Sequence, residues 1–464
     1  MEFKLSFQGA AQNVTGSRYL LSANGLNLLI DCGLYQEHNL KERNWRDFPF
    51  PPDKLDAVFL THAHLDHCGL LPRLVKAGFK GRIYCTAPTA DIVRIVLLDC
   101  ARINEEDAEF KRRRHEKEGR TPKYKELPLY TEEEAREVFP LLTPCPYRTT
   151  IDLGSGLTAE FEEIGHILGA SFLRFAISQK GATRHLVFSG DVGRRKMPIL
   201  HAPAAIGDAD YLVLESTYGN RLHSPQQDVA KTLADIINQT CERRGNLIIP
   251  SFAIERTQDL LYYLSLLHSQ DQIPHLPIFV DSPMAVKVSM IFKRYPDLFD
   301  SKTKELARHF RSANTHLVHT QADSKSINHI RGTAIIIAGA GMCTGGRIKH
   351  HLTHNIEDSA NTILFVGYQA SNTLGRLIKD GAPIVRILGE DYKVKAHVAS
   401  IDGFSAHADK QELQEWMCTA SGIPRTVFVT HGEPEAAQEL AEAINDKPGW
   451  KAQVPNYLDT VSLS

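Results

Sequence analysis

The chain has few of the features that mark secreted or membrane proteins. Its 8 cysteines are scattered over 464 residues with no Cys-x-x-Cys spacing. This excludes a small disulfide framework and argues against a cysteine-based zinc finger. The amino-terminal Met-Glu-Phe-Lys-Leu-Ser is not an apolar signal segment, and no run approaches the roughly 18 apolar residues of a membrane span. We therefore expect reduced thiols, no membrane association and a cytoplasmic location.

The chain also lacks a charge bias. Its net charge is −2 with 23% charged residues, so a nucleic acid would have to be recognised by local basic groups. The longest such group, Lys111-Arg-Arg-Arg-His115, lies in a polar, helix-forming region at 89–139. A solvated helical face is the simpler interpretation of this segment, and a nucleic-acid contact is the alternative.

Strand and helix patterns divide the chain. Short strand-like runs dominate as far as Glu215. From about 216, short apolar strands alternate with helical segments, which predicts a parallel, doubly wound sheet. These strands are Asn246–Ser251, Pro277–Asp281, Thr333–Ala338 and Thr362–Gly367. The first pattern returns after about 394. We therefore predict an α/β protein with one domain at 1–215 and 395–464, interrupted by a second domain at 216–394.

The run His62-Ala-His-Leu-Asp-His67 places four metal-ligand groups within six residues, directly after a short apolar strand. Zinc accepts imidazole nitrogen and carboxylate oxygen where thiolates are absent. His62 and His64 can converge on one ion, whereas Asp66 and His67 can turn toward a second. One tetrahedral ion cannot easily take four such closely tied ligands and keep a reactive position open, so we expect two ions about 3.5–4 Å apart. The histidine-rich set favours zinc over manganese.

Further ligand candidates also follow predicted strands. His166, Asp191 and His431 each stand just after an apolar run. A carboxylate at Asp191 could bridge both ions. Asp31 also ends a strand, and we interpret it as a residue that orients the ligands rather than binding the metal.

These residues resemble a known family. The run His62–His67, with Asp31, His166 and Asp191, resembles the metallo-β-lactamase superfamily. Three further runs resemble the additional motifs of its β-CASP branch, which processes nucleic acids. They are Glu215-Ser-Thr-Tyr-Gly219, Phe404-Ser-Ala-His-Ala-Asp409 and Thr430-His-Gly-Glu433. The resemblance covers nearly the whole chain. It implies an αββα metallo-β-lactamase sandwich with an inserted doubly wound α/β domain, the β-CASP domain.

The resemblance also implies a role for each residue. One zinc would bind His62, His64 and His166, the other Asp66, His67 and His431, and Asp191 would bridge the two. His407, supported by Glu215, would be the general acid. The candidate catalytic residues are therefore His407, Glu215, Asp66 and Asp31.

The expected reaction is hydrolysis of RNA phosphodiester bonds. A hydroxide bridging the two ions would attack phosphorus, and His407 would protonate the leaving oxygen. In the family, a histidine at the position of His431 goes with RNA nucleases, so we expect a single-stranded RNA substrate. Endonuclease and 5′-3′ exonuclease action both stay open, and domains of this kind often form homodimers. The alternatives are a DNA nuclease, a thioester or lactam hydrolase, and a non-catalytic RNA-binding scaffold.

Candidates for binding the substrate phosphates lie mainly in the predicted insertion. They are Ser251, Arg347, Ser371, Arg376 and, beside the general acid, Ser405. Arginine can hold a phosphate with two hydrogen bonds. The glycine-rich run Gly339–Arg347 could offer backbone amides to phosphate oxygens. Glycines of this kind also serve plain strand-to-helix turns, so both interpretations stay open.

Overall fold

A computed structural model describes residues 2–118, 126–223, 229–300, 314–330, 332–367, 369 and 373–464. The chain forms two compact units. The first comprises the residues up to Lys196 together with His201–Leu222 and His407–Ser464, and the second comprises Met197–Leu200 and His223–Ala406. None of the helices in these described ranges has both the length and the apolar character that a membrane span requires.

The described residues form strands and helices along both units. In chain order the strands are β1 (Phe3–Phe7), β2 (Tyr19–Ala23), β3 (Leu26–Ile30), β4 (Ala57–Phe59), β5 (Arg82–Thr86), β6 (Leu142–Cys145), β7 (Ile151–Asp152), β8 (Leu157–Glu163), β9 (Ser171–Gln179), β10 (Ala182–Phe188), β11 (Tyr211–Glu215), β12 (Leu247–Pro250), β13 (Ile278–Asp281), β14 (Thr315–Leu317), β15 (Ile335–Ala338), β16 (Thr362–Phe365), β17 (Ile384–Ile387), β18 (Glu390–Lys393), β19 (His397–Ser400), β20 (Thr426–Thr430), β21 (Ala452–Gln453) and β22 (Thr460–Leu463). The α-helices are α1 (Leu65–Cys68), α2 (Leu71–Lys76), α3 (Ala87–Glu118), α4 (Glu132–Arg136), α5 (Val229–Glu242), α6 (Arg256–Ser269), α7 (Pro283–Phe292), α8 (Gln321–Ser326), α9 (Ile348–Asn355), α10 (Leu374–Lys379), α11 (Lys410–Met417) and α12 (Pro434–Asn445).

The first unit is a sandwich of two sheets. One sheet has the order β22-β1-β2-β3-β4-β5-β6 and the other β21-β20-β11-β10-β9-β8-β7. Side chains that alternate along the strands fill the space between the sheets; Phe7 of β1 lies 5.3 Å from Phe428 of β20, between ring centroids. Helix α3 contacts β5 and β6, and α12 contacts β20 and β21. The predicted αββα sandwich is therefore confirmed.

The second unit is built on a parallel sheet with the order β14-β13-β15-β12-β16-β19. The central strands β12, β15 and β16 are buried along their whole length, as expected for a sheet covered by helices on both faces. This confirms the predicted doubly wound sheet. Strand β19 lies beyond the predicted boundary at 394, yet it pairs with β16 in this sheet.

Candidate metal centre and acid–base pair

The first unit places its candidate ligands just after strands. Asp31 follows β3, the run His62–His67 follows β4, and Asp191 follows β10 within a few residues. Strands β3 and β4 run parallel, as do β10, β11 and β20. The carboxyl ends of parallel neighbours lie at one edge of a sheet. Residues that are far apart in sequence are therefore brought together here.

A glycine allows the His62–His67 turn to pack against the loop after β3. A Cβ atom added to Gly33 would lie 1.6 Å from the carbonyl oxygen of Asp66, so no larger residue fits. The Cys32 amide donates to the carbonyl oxygen of His67 at 2.7 Å. These contacts fix the turn, and with it the directions of Asp66 and His67.

The first group of donor atoms contains three imidazoles and one carboxylate oxygen. Nδ1 of His64 lies 3.1 Å from Nε2 of His62 and 3.2 Å from Nε2 of His166. Oδ2 of Asp191 lies 3.4 Å from both of those Nε2 atoms. One ligand atom from each residue lies within 4.8 Å of all the others. This arrangement is compact enough for a single ion.

The second group uses the other oxygen of the same carboxylate. Oδ1 of Asp191 lies 3.2 Å from Nε2 of His67 and 3.6 Å from Nε2 of His431. These two nitrogens are 3.0 Å apart, and Oδ2 of Asp66 lies 3.7 Å from that of His431. Asp191 therefore faces both groups, with one oxygen toward each.

Asp31 contacts the His67 imidazole on the side opposite the donor group. Its Oδ2 lies 2.7 Å from Nδ1 of His67, which leaves Nε2 directed at the second group. Asp31 itself accepts hydrogen bonds from the amide and hydroxyl of Thr61 and from the hydroxyl of Ser17. Thr61 and Ser17 were not predicted from the sequence. Thr61 could have been found, because it occupies the position between a strand and a ligand histidine.

The electrostatics of the first group favour neutral imidazoles. Burial lowers the pKa of His64 to about 4 and takes the pKa of His62 and of His166 well below the usual value. A neutral imidazole has a lone pair to offer to a metal.

The carboxylates around the second group favour positive charge. Burial alone would raise the pKa of Asp191, but His431, His67 and His62 hold it well below its usual value. For His67 burial acts in the opposite direction and would lower the pKa, but the charges of Asp191 and Asp31 raise it well above the ordinary value. The space between Asp31 and Asp191 is therefore one in which a cation is stabilised.

Zinc fits this donor set. Asp191 Oδ1 and His166 Nδ1 are buried and make no hydrogen bond with any described residue. A buried polar atom without a partner costs about 1–3 kcal/mol. For the Asp191 oxygen, a bound cation removes that cost. The nitrogen and oxygen donors match the ligands zinc prefers.

A second histidine–carboxylate pair stands beside the first donor group. Nδ1 of His407 lies 3.2 Å from Oε1 of Glu215, and the His407 ring lies 4.5 Å from that of His166, between centroids. Glu215 is fixed in turn by the amides of Val192 and Thr217. Burial lowers the pKa of His407, but Glu215 outweighs it and raises the pKa to about 9. Glu215 therefore favours the protonated form of His407, whose Nδ1 faces the carboxylate.

The pairing of two strands brings motif residues from distant parts of the chain together. Glu215 at the end of β11 stands opposite Thr430 of β20. A Cβ atom on Gly432 would lie 2.2 Å from the hydroxyl of Ser216, so the two loops pack without side chains between them. The amide of His431 donates to the carbonyl of Ala10 at 2.7 Å. The hydroxyl of Thr217, a residue that was not predicted from the sequence, donates to the carbonyl oxygen of His431.

The predicted phosphate-binding residues lie in the second unit, and two of them are already engaged. Arg347 donates to Asp281 at 2.6 Å and to the carbonyl of His319, and Arg376 donates to Asp380 at 2.7 Å. Ser251 is buried against Thr257. Ser405 is half-buried, and Ser371 lies outside the described residues. Their binding to phosphate stays a prediction.

The basic run Lys111–His115 lies on the last turns of α3. Two of its arginines pair within the helix, Arg113 with Glu109 and Arg114 with Glu118. His115 lies 2.6 Å from Glu126. These pairs are typical of a solvated helical face.

Known protein families match three segments of the chain. Residues 14–97 match the metallo-beta-lactamase superfamily, 257–378 the Beta-Casp domain, and 391–455 the Zn-dependent metallo-hydrolase RNA specificity domain. Ribonuclease TTHA0252 of Thermus thermophilus is 38% identical over 444 residues, which cover 94% of each chain. The chain belongs to the β-CASP branch of the metallo-β-lactamase superfamily. The resemblance stated from its motifs is thereby confirmed.

More distant members of the family are longer than this chain. The transcription termination factor FttA of Methanosarcina mazei is 29% identical over 98% of this chain and 71% of its own length. The FttA of Pyrococcus horikoshii is 31% identical over 88% of this chain and 62% of its own. A crystal structure of a protein of unknown function from Enterococcus faecalis V583 has a TM-score of 0.55 at 12% identity and covers 100% of both chains. That likeness concerns the fold alone.

Proposed function

We propose that the chain is a zinc-dependent ribonuclease that hydrolyses phosphodiester bonds of single-stranded RNA. The observation that carries the proposal is the position of Asp191 between two donor groups, with the His407–Glu215 pair beside them. A relative named as a ribonuclease, alike over almost the full length of both chains, supports RNA as the substrate. The match to a domain described as giving RNA specificity points the same way.

We assign two zinc ions to the two donor groups. His62, His64 and His166 would hold the first, Asp66, His67 and His431 would hold the second, and Asp191 would serve both. Bound zinc lowers the pKa of a water ligand toward neutrality and stabilises charge on phosphoryl oxygens. Asp31 contributes by holding His67 in one orientation and one tautomer.

His407 is the proton donor of the proposed reaction. An RNA strand leaves as an alkoxide, which is strongly basic and must be protonated as the P–O bond breaks. Glu215 accepts from Nδ1 of His407, so the proton on Nε2 is the one that can be passed on. Glu215 is itself held by two backbone amides, which keeps the imidazole orientation fixed.

The remaining parts of the hypothesis concern the wider molecule. We propose a division into one domain at 1–215 and 395–464 and an inserted domain at 216–394. The two compact units support this division in general, although the first unit resumes at His407. We keep Ser251, Arg347, Ser371, Arg376 and Ser405 as phosphate-binding candidates. A cytoplasmic location and a homodimer complete the proposal.

Digestion of one RNA labelled at the 5′ end and again at the 3′ end tests the function. We expect metal-dependent cleavage, lost in His67→Ala and kept in His38→Ala, because His38 is an exposed histidine that belongs to neither donor group. Internal products from both labels indicate an endonuclease, and stepwise shortening from the 5′ end an exonuclease. Equal cleavage of DNA of the same sequence, or hydrolysis of a thioester in place of RNA, would contradict the assigned substrate.

A further inference from the structure

Arg18 in the first unit is a buried cation without a paired carboxylate. Its side chain is 3% exposed, and its Nε makes no hydrogen bond with the described residues. The guanidinium lies instead over two aromatic rings, 5.8 Å from the centroid of Tyr35 and 5.2 Å from that of Phe48. A buried charge is costly unless it is paired. The surroundings of Arg18 therefore suit an anion.

Two more arginines lie next to Arg18. The guanidinium of Arg43 stands 5.4 Å from the Tyr35 centroid, on which Arg18 also lies, and 4.0 Å from that of Tyr457. Arg46 follows three residues later, and its amide donates to the carbonyl of Arg43 at 3.3 Å. The charges of Arg18, Arg43 and Arg46 all lower the pKa of Tyr457, which burial raises. The three cations therefore form one positive cluster.

No described carboxylate neutralises this cluster. Glu42 and Asp47 lie in the same segment, but neither is within ion-pair distance of Arg18, Arg43 or Arg46. Glu37, the next carboxylate upstream, is occupied by the amides of Val14 and Thr15. Among the described residues, no carboxylate therefore balances the charge of the three arginines.

The segment that bears the arginines is held firmly. The side chain of Asn44 accepts from the amide of Tyr35 and donates to its carbonyl, both at 2.8 Å. Arg73 donates to the carbonyls of Asn44 and Arg46. A surface fixed in this way loses little conformational entropy when it binds.

An exposed aromatic ring completes the surface. Trp45, between Arg43 and Arg46 in the chain, is 55% exposed, although tryptophan is usually well buried. Aromatic rings beside cations are typical of proteins that bind single-stranded nucleic acid, where bases stack on the rings and phosphates meet the charges.

We propose that Arg43, Arg46 and Trp45 form a subsite for single-stranded RNA, in which the two accessible arginines bind backbone phosphate and Trp45 stacks on a base. Arg18, which is buried, adds positive charge behind them. The inference rests on the proposed ribonuclease function and extends it to a surface separate from the metal-binding residues. Phosphate binding at Arg43 and Arg46 also explains why a family enzyme with no global positive charge can hold a polyanion.

Binding of a fluorescein-labelled single-stranded RNA tests the arginines. The assay uses the zinc-loaded protein carrying His407→Ala, which should cut RNA much more slowly than the wild type, and anisotropy is read early after mixing across a salt series. The double variant Arg43→Gln/Arg46→Gln should raise Kd about tenfold and reduce the slope of log K against log salt by about 1.4, since each phosphate contact to a single strand contributes about 0.7. The matched control Lys80→Gln/Arg82→Gln removes two other exposed cations of the same unit and should change neither.

Tryptophan fluorescence tests the stacking directly. RNA should quench the emission of the wild-type protein, and Trp45→Phe should remove the quenching, whereas Trp450→Phe keeps it. Trp45→Ala should raise Kd roughly fivefold or more, as expected for the loss of one stacked base. A merely structural role for Trp45 would not produce an RNA-dependent quenching signal.

The outcomes separate this subsite from the proposed function. Hydrolysis of bis(p-nitrophenyl) phosphate, which has no second phosphate or base, should be the same in Arg43→Gln/Arg46→Gln and in wild type. If the wild type cuts RNA but the double variant keeps its Kd and salt slope, the subsite is wrong and the ribonuclease stands. A wild-type protein that neither binds nor cuts RNA overturns both.

Discussion

Each unit contains a buried aspartate that faces histidines: Asp191 just after β10 in the first unit, and Asp281 at the end of β13 in the second. The surroundings of the two carboxylates differ. Asp281 at the end of β13 accepts from Nε2 of His351 at 2.6 Å, from Arg347 at 2.6 Å and from the hydroxyl of Ser324 at 2.5 Å. Asp191 faces imidazole nitrogens at 3.2 to 3.6 Å, and its Oδ1 accepts no hydrogen bond from the described residues. A buried carboxylate that accepts hydrogen bonds from its neighbours, such as Asp281, has a structural role. A buried carboxylate such as Asp191, which faces imidazole nitrogens but whose Oδ1 accepts no hydrogen bond, indicates a site for a cation.

The largest expected effect is at Asp191. Because it serves both donor groups, Asp191→Asn should bring the zinc content below two per chain and abolish RNA cleavage. Metal analysis and the RNA assay measure the two losses, with Asp53→Asn, an exposed carboxylate of the same unit, as the control. If Asp191→Asn kept two zinc ions and wild-type turnover, Asp191 would not be a metal ligand, and the contrast with Asp281 would be wrong.

His407 should show a loss of turnover without a loss of metal. His407→Ala should keep the zinc content and lower kcat on RNA about 10²- to 10⁴-fold, the usual contribution of a general acid. Activity on bis(p-nitrophenyl) phosphate should be largely kept, since p-nitrophenolate leaves without being protonated. An equal loss on both substrates, or loss of zinc, would contradict the role of proton donor.

Asp281 should affect stability instead of metal binding. Asp281→Asn leaves the charge of Arg347 without its partner and should lower the free energy of unfolding by about 3–5 kcal/mol. Zinc content should not change. Urea unfolding measures the loss, and Asp391→Asn, an exposed partner of Arg386, should cost at most about 1 kcal/mol.

The same aspartate gives a pH dependence whose sign is fixed. Burial raises the pKa of Asp281, but His351, Ser324 and Arg347 outweigh it and hold the pKa below the usual value. A depressed folded-state pKa contributes stability above the unfolded value of about 3.9 and loses it as the pH falls through the folded value. Asp281→Asn should therefore flatten the stability profile on the acid side of pH 4. An unchanged profile would show that Asp281 is not the titrating group.

The sequence predicts most of the candidate site, because the ligand residues can be recognised from their side-chain chemistry and from their positions just after predicted strands. His62, His166, Asp191 and His431 each follow a strand, and parallel neighbours bring strand ends together. Thr61, Ser17 and Thr217 were missed because hydroxyl residues are common at strand ends, and only the folded contacts reveal that they hold Asp31 and His431.

Other features depend on tertiary contacts that no local pattern encodes. Strand β19 is mostly exposed and lacks an apolar run, so its place beside β16 has no sequence signal. The ion pair between Arg347 and Asp281 could not be predicted either, because the sequence shows the charge of Arg347 but not which carboxylate it contacts. Arg18 contacts both Tyr35 and Phe48, and no sequence pattern links these three residues.

The pairing of β11 with β20 has a consequence for the newly made protein. Ribosomes deliver the chain from its amino end, so every residue of the first donor group has appeared once Asp191 is synthesised. His407 and His431 come more than two hundred residues later, after the whole second unit. A nascent chain therefore carries neither the proton donor nor the last ligand of the second group. Under the proposed function, the enzyme acquires its cutting activity only after His407 and His431 have been synthesised.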